Sequence, residues 1–149
     1  MLISQKCQYA LRAVFELALR RGEGPVKIAD IAEAQAIPIR FLEVILGQLK
    51  QGGFLGSQRG SEGGYALLRS PEALTVGEVI RFVQGPVGPV SCLTGKARKS
   101  CQLQGDCVFM PMWRRVQDAM SQVYDGTTFQ DLADEERKKS DQYVPTYTI

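Results

Sequence analysis

Apolar residues recur at helical spacing near the start of the chain. Leu11, Val14, Phe15 and Ala18 share one face of a helix predicted over residues 5–21. Ser4 stands where a cap is needed, and Gly22-Glu23-Gly24 ends the run. Residues 25–33 predict a short second helix with Ile28, Ile31 and Ala32 inward. After a break at Ala36-Ile37, Pro38 suits the first turn of a third helix, which runs to Gln51 and stops at Gly52-Gly53. Leu42, Ile45, Leu46 and Leu49 form its apolar stripe, and Arg40, Glu43, Gly47 and Lys50 lie on the other side. That polar side is either an ordinary solvated face or a surface that enters a groove, with a small residue at the closest approach.

Phe54–Ser57 and Tyr65–Leu68 predict two short strands. Between them, Gln58-Arg59-Gly60-Ser61-Glu62-Gly63-Gly64 is a glycine-rich hairpin with an arginine near its tip. Helix, short helix, turn, helix and hairpin is the order of a winged helix-turn-helix. In such a unit the second helix of the turn enters the DNA major groove, and a wing arginine meets the narrow, electronegative minor groove. The plainer alternative is a flexible loop that happens to contain Arg59.

Thr75-Val76-Gly77-Glu78 reads as a capping box. It opens a helix with Val76, Val79, Ile80 and Val83 on one face, and Gly85-Pro86-Val87-Gly88-Pro89 breaks the chain after it. Residues 90–107 have little periodicity. From Val108 the pattern is helical again, with Phe109, Met112, Trp113, Val116, Met120, Val123 and Tyr124 in one long stripe. A helix of that length on so small a chain is expected to pack against a second copy, giving a homodimer. Thr127–Asp131 can cap a last helix to Lys139, and a loosely held tail is expected from Ser140. The expected fold is mostly α with a small β-hairpin wing: a winged helix-turn-helix plus a long dimerisation helix. It divides into a DNA-binding domain at 1–84, a cysteine loop at 85–107, dimerisation and C-terminal helices at 108–139, and a tail at 140–149.

Composition narrows the function. The 149 residues suit one domain, and 44% hydrophobic with 23% charged residues is ordinary for a globular protein. There is no apolar run long enough to span a membrane. The N-terminal residues lack the apolar stretch of a secretory signal, so a cytoplasmic protein without a membrane partner is expected. The chain has no histidine, which excludes histidine-based catalysis and histidine-rich zinc sites. With no nucleophile–base pair and no phosphate-binding glycine loop, neither an enzyme nor a small-molecule substrate is expected. Net charge is +2, all of it within residues 1–90, where ten Lys/Arg face eight Asp/Glu. That is a slight bias toward an anionic partner.

Of four cysteines, Cys92, Cys101 and Cys107 fall within sixteen residues, joined by polar, glycine-containing segments. The spacing lacks the paired CxxC of a zinc ribbon. Three looped thiolates suit an iron–sulfur cluster, with Lys96, Arg98 and Lys99 offsetting the thiolate charge. A zinc or thiol switch, or three incidental cysteines, remain alternatives.

Several segments together resemble one family: Tyr9-Ala10-Leu11-Arg12, Phe41-Leu42-Glu43, Ser57 to Tyr65, Thr75 to Ile80, and the cysteine trio. They resemble the IscR/NsrR-like regulators (the Rrf-two family), bacterial dimeric winged-helix transcription factors, over residues 5–132. The resemblance implies a double-stranded DNA operator as partner. Glu43 then helps select bases, since a carboxylate accepts from cytosine N4. Arg59 enters the minor groove, and Ser57 and Gly60 contact the backbone, which positions without specifying. Arg40 joins them from the polar helix face. Cys92, Cys101 and Cys107 match ligands of a 2Fe–2S or 4Fe–4S cluster. The fourth ligand departs from the family. Met110 stands where some relatives have histidine, and Gln8 where others have an acidic residue of the partner subunit. Cys7, next to Gln8 and supplied from the other protomer, is the expected substitute; Gln8, Asp106 or an exogenous ligand are the alternatives.

Overall fold

The computed structural model describes residues 2–95, 101–103 and 105–142. Six helices are present among them: α1 Gln5–Leu19, α2 Ile28–Gln35, α3 Ile39–Gln51, α4 Val76–Gln84, α5 Met110–Gly126 and α6 Phe129–Gln142. Strands β1 Leu55–Gln58 and β2 Gly64–Leu67 form an antiparallel hairpin between α3 and α4. This is the expected mostly helical fold with a small β wing.

α1 is the centre of the head. Ser4 caps it by accepting from the Cys7 amide at 3.2 Å, and α2, α3, α4 and α6 all pack on it. Burial therefore covers more of its circumference than one amphipathic face predicts. Cys7, Ala10, Ala13, Val14, Glu16, Leu17 and Ala18 are buried, whereas the expected Leu11 and Phe15 are only half-buried. Small alanines on α1 let the neighbouring helices approach closely. The α3 stripe behaves as its spacing predicts: Leu42, Ile45, Leu46 and Leu49 are buried. Each contributes about 1.5–3 kcal/mol by leaving water.

The turn between α2 and α3 is tight. Ala36 adopts the left-handed conformation, φ 49° and ψ 49°, and the Ile37 amide donates to the Ala32 carbonyl at 2.9 Å. This closes the last turn of α2 and buries Ile37 beneath it. Arg12 fixes the same junction from α1, donating to the Gln35 carbonyl at the C-terminal end of α2. Its guanidinium also lies 5.3 Å from the centre of the Tyr9 ring. Buried Glu16 accepts from Gln35 at 2.6 Å and pairs with Arg20 at 2.6 Å, so its carboxylate is satisfied on both sides.

Two details extend the expected organisation. The Val76 amide donates to the Thr127 carbonyl at 2.9 Å, and the Phe129 amide to the Leu74 carbonyl at 3.0 Å. This two-bond bridge returns the chain to the head after α5. Phe129 and Ala133 of α6 are consequently fully buried with the head's core. α6 also continues to Gln142, past the expected end at Lys139, so Ser140, Asp141 and Gln142 are helical rather than tail. The rest of that expected tail, 143–149, lies outside the described residues. No helix among the described residues is long and apolar enough to cross a membrane.

Candidate nucleic-acid interface and cysteine loop

α3 buries its stripe against the head and turns the opposite face to solvent, where Arg40, Glu43 and Lys50 are exposed. Gly47 interrupts that face, and nothing lies within 4 Å of the place a Cβ would occupy. The helix backbone is thus open to close approach at that point.

The wing follows directly. Its register pairs Leu55 with Leu67, Gly56 with Ala66, Ser57 with Tyr65 and Gln58 with Gly64. Each strand sits one residue nearer the tip than the sequence pattern suggests. A third extended segment braces β2 near the tip end of the ladder, because Val26 and Tyr65 exchange two amide–carbonyl bonds of 2.8 Å. Gly64 faces the Val26 backbone so closely that no side chain fits there. At the tip Gly60 has φ 108°, a conformation that favours glycine. Ser57, Arg59 and Gly60 are all exposed. The five candidate DNA contacts therefore fall on two consecutive elements, Arg40 and Glu43 on α3 and Ser57, Arg59 and Gly60 on the wing.

An aromatic wedge sets the angle between those elements. Phe82 of α4 packs against Phe54 with ring centroids 4.9 Å apart. Its ring fills the space a side chain at Gly52 would need. The junction of α3 and the wing thus rests on α4. α4 is itself firmly capped, with the Thr75 hydroxyl accepting from the Glu78 amide at 3.3 Å and Glu78 accepting from the Thr75 amide at 3.0 Å. Burial works against the Glu78 carboxylate. The Thr75 amide and Arg69 outweigh that effect and hold its pKa below the usual range. Sequence reading found this capping box but not the Phe82–Gly52 contact, which joins residues thirty positions apart and leaves no local periodicity.

The cysteine segment differs in character. Cys92 and Cys107 are half-buried, Cys101 is exposed, and all are free thiols. Among the described residues no three Cys, Asp, Glu or His side chains gather at metal-binding spacing. The three thiols are thus not brought together as the sequence pattern predicts; residues 96–100 between them, including Lys96, Arg98 and Lys99, lie outside the described set. The donor chemistry still suits a thiolate-ligated group, since three reduced cysteines flank one loop between α4 and α5. Cys7 does not suit the role expected of it. Its side chain is fully buried within its own protomer, and burial raises its thiol pKa. A ligand offered to a partner must face outward, and at this position it is the neighbouring Gln8 that is exposed.

α5 carries no buried residue. Val108, Phe109, Met112, Val116 and Val123 are exposed, Val108 at 82% and Val123 at 65%. The helix is fastened to α4 by an Arg81–Asp125 ion pair; Trp113, Met120 and Tyr124 of its expected apolar stripe are half-buried, and the rest of the stripe is exposed.

A glycine-tipped wing behind an exposed, charged helix of a helix-turn-helix defines a DNA-binding transcription regulator. Comparison with known proteins gives the family. The chain belongs to the family described as "Rrf2: Iron-dependent Transcriptional regulator", whose profile matches residues 3–135. It is similar to the HTH-type transcriptional regulator CymR of Bacillus subtilis, 37% identical over 89% of this chain and 90% of that protein. It is 34% identical to the regulator IscR of Pectobacterium atrosepticum, over 89% of this chain and 79% of that one. Among solved structures, CymR of B. subtilis, described as the global cysteine regulator, superposes with a TM-score of 0.77 at 35% identity, covering 91% of this chain and 98% of the other. IscR of T. potens does so with 0.75 at 29% identity, covering 99% and 95%. These relatives are named as transcription regulators and not as enzymes.

Proposed function

We propose that the chain is a cytoplasmic, homodimeric repressor or activator that binds an operator sequence-specifically and takes its signal at Cys92, Cys101 and Cys107. The observation that carries the reading is the consecutive exposure of α3 and the wing, with Arg40, Glu43 and Arg59 free of ion pairs among the described residues. Two such heads joined along α5 would read two half-sites of a palindrome. Arg40 and Glu43 would address base edges in the major groove, and Arg59 the minor groove, with Ser57 and the Gly60 backbone setting the register on phosphate.

Cys92, Cys101 and Cys107 would hold an iron–sulfur cluster through their thiolates, and such a cluster supplies sensitivity to iron supply, oxidants and nitric oxide. Those residues sit between α4, whose Phe82 supports the α3–wing junction, and α5. Ordering or releasing the loop would bias how the two heads are held apart, a local change acting on a two-state element. With Cys7 facing inward, the fourth ligand falls to Gln8 of the partner, Asp106 or an exogenous group. A second reading keeps the DNA-binding regulator and makes the three cysteines a cluster-free thiol or zinc switch. The absence of a gathered cysteine site among the described residues favours considering it.

An anaerobic absorbance spectrum with iron and sulfide analysis tests the choice, on wild type and on Cys101→Ala. The cluster reading expects brown protein with matching iron and sulfide, and bleaching in the variant. Colourless protein after anaerobic reconstitution overturns it and leaves the thiol or zinc switch. A Cys7→Ala spectrum identical to wild type is expected from the burial of that side chain.

A further inference from the structure

The outward face of α3 is not wholly polar. The buried stripe of Leu42, Ile45, Leu46 and Leu49 fixes which way the helix faces. At 100° per residue, the direction opposite that stripe falls between Arg40 and Gln51, with Val44 and Gly47 on either side and Glu43 farther round. Val44 is 58% exposed. It contributes little to the core, and β-branched valine is a weaker helix former than the alanine or glutamine that would serve a merely solvated site. Arg40 precedes it by one turn and Gly47, with no neighbour over its Cα, follows three residues later. An apolar side chain therefore stands on the line along which this helix can come closest to another surface. The wing with its exposed Arg59 follows α3 directly in the chain, so on the proposed reading the surface this face meets is duplex DNA. The apolar feature of a major groove is the C5 methyl of thymine.

We infer that Val44 is a specificity-determining residue that reads a thymine methyl in each half-site. The inference rests on the reading of α3 as the major-groove element. It divides recognition on the helix between Glu43 and Arg40, which exchange hydrogen bonds with base edges, and Val44, which selects T over C and over its unmethylated equivalent by shape and desolvation.

The test uses the full-length protein and an operator selected from random duplexes. Each thymine of a half-site is replaced in turn by uracil, which removes only the methyl group. For wild type, one thymine position is expected to weaken binding about fourfold per half-site, the effect of burying one methyl-sized group. For Val44→Ala the same replacement is expected to be neutral, while the response to every other position is unchanged. Thermal unfolding of Val44→Ala should match wild type, since the side chain is exposed. If no uracil replacement matters, or if Val44→Ala keeps the wild-type profile, the inference is overturned and the DNA reading stands. If no duplex is selected at all, the reading of α3 fails with it.

Discussion

The head and the arm of this protein are built on opposite terms. In the head, α1 to α4, the wing and α6 enclose a contiguous core from Ala10 to Phe129. In the arm, none of the seventeen residues of α5 is fully buried, and Phe109, Met112, Val116 and Val123 stand exposed. The same chemistry of alternating apolar and polar positions produced both. The difference is where the partner surface lies. The head's stripes find partners within the chain. That of α5 finds only part of one: Trp113, Met120 and Tyr124 are half-buried, while Met112, Val116 and Val123 are left as an exposed apolar strip. The head is thus satisfied within the chain, whereas the arm leaves apolar surface exposed that the proposed association of two copies would cover.

Mutations can break that contrast. Leu46→Ala cuts into the head's core and should cost about 2–5 kcal/mol, measured by denaturant unfolding. A loss as small as that of a surface substitution would contradict the burial pattern. Val123→Glu on the arm should leave the head folded by circular dichroism while sedimentation shifts from dimer to monomer; a dimer that persists would move the interface elsewhere. Arg59→Ala should cost about 1–3 kcal/mol of operator affinity, read by fluorescence anisotropy together with a shallower salt dependence, and leave unfolding unchanged.

The smallest effect sharpens the boundary between the two regions. Thr75→Ala removes half the capping box of α4 and should cost about 1 kcal/mol of stability. Glu78 adds a pH signature. Its folded pKa is depressed below the unfolded value of 4.5, so its contribution is present above that pH and is lost as pH falls through the folded value. The stability difference between wild type and Glu78→Gln should be constant from pH 6 to 8 and shrink on acidification below about 4.5.

Most of the head was legible because its signals are local. The α3 stripe, the Thr75–Glu78 box and the glycines of the wing each act within a few residues. α1 was read less well, since four helices pack on it and Glu16 is buried through a network with Arg20 and Gln35 that no periodicity encodes. Phe129 looked like a capping-region residue, because its burial depends on the Leu74 and Thr127 hydrogen bonds far away in sequence. At the candidate site, Arg40, Glu43, Ser57, Arg59 and Gly60 were findable as exposed polar or glycine positions. The role inferred for Val44 was not, since an apolar residue beside a polar face reads as noise until the direction of burial is known. The inward direction of Cys7 was not legible either, because helical phase decides which of two adjacent residues is buried and the chemistry of the thiol says nothing of it.

The paired bonds between Leu74–Val76 and Thr127–Phe129 act as a doorway. They join the start of α4 to the junction of α5 and α6, so α5 is tied back to the head beside the N-terminus of α4. Lengthening or shortening the segment between α4 and α5 changes the closure entropy only slowly and leaves both thresholds in place. A single DNA-binding head can in this way accept different segments between α4 and α5 during evolution, each exchanged as a cassette.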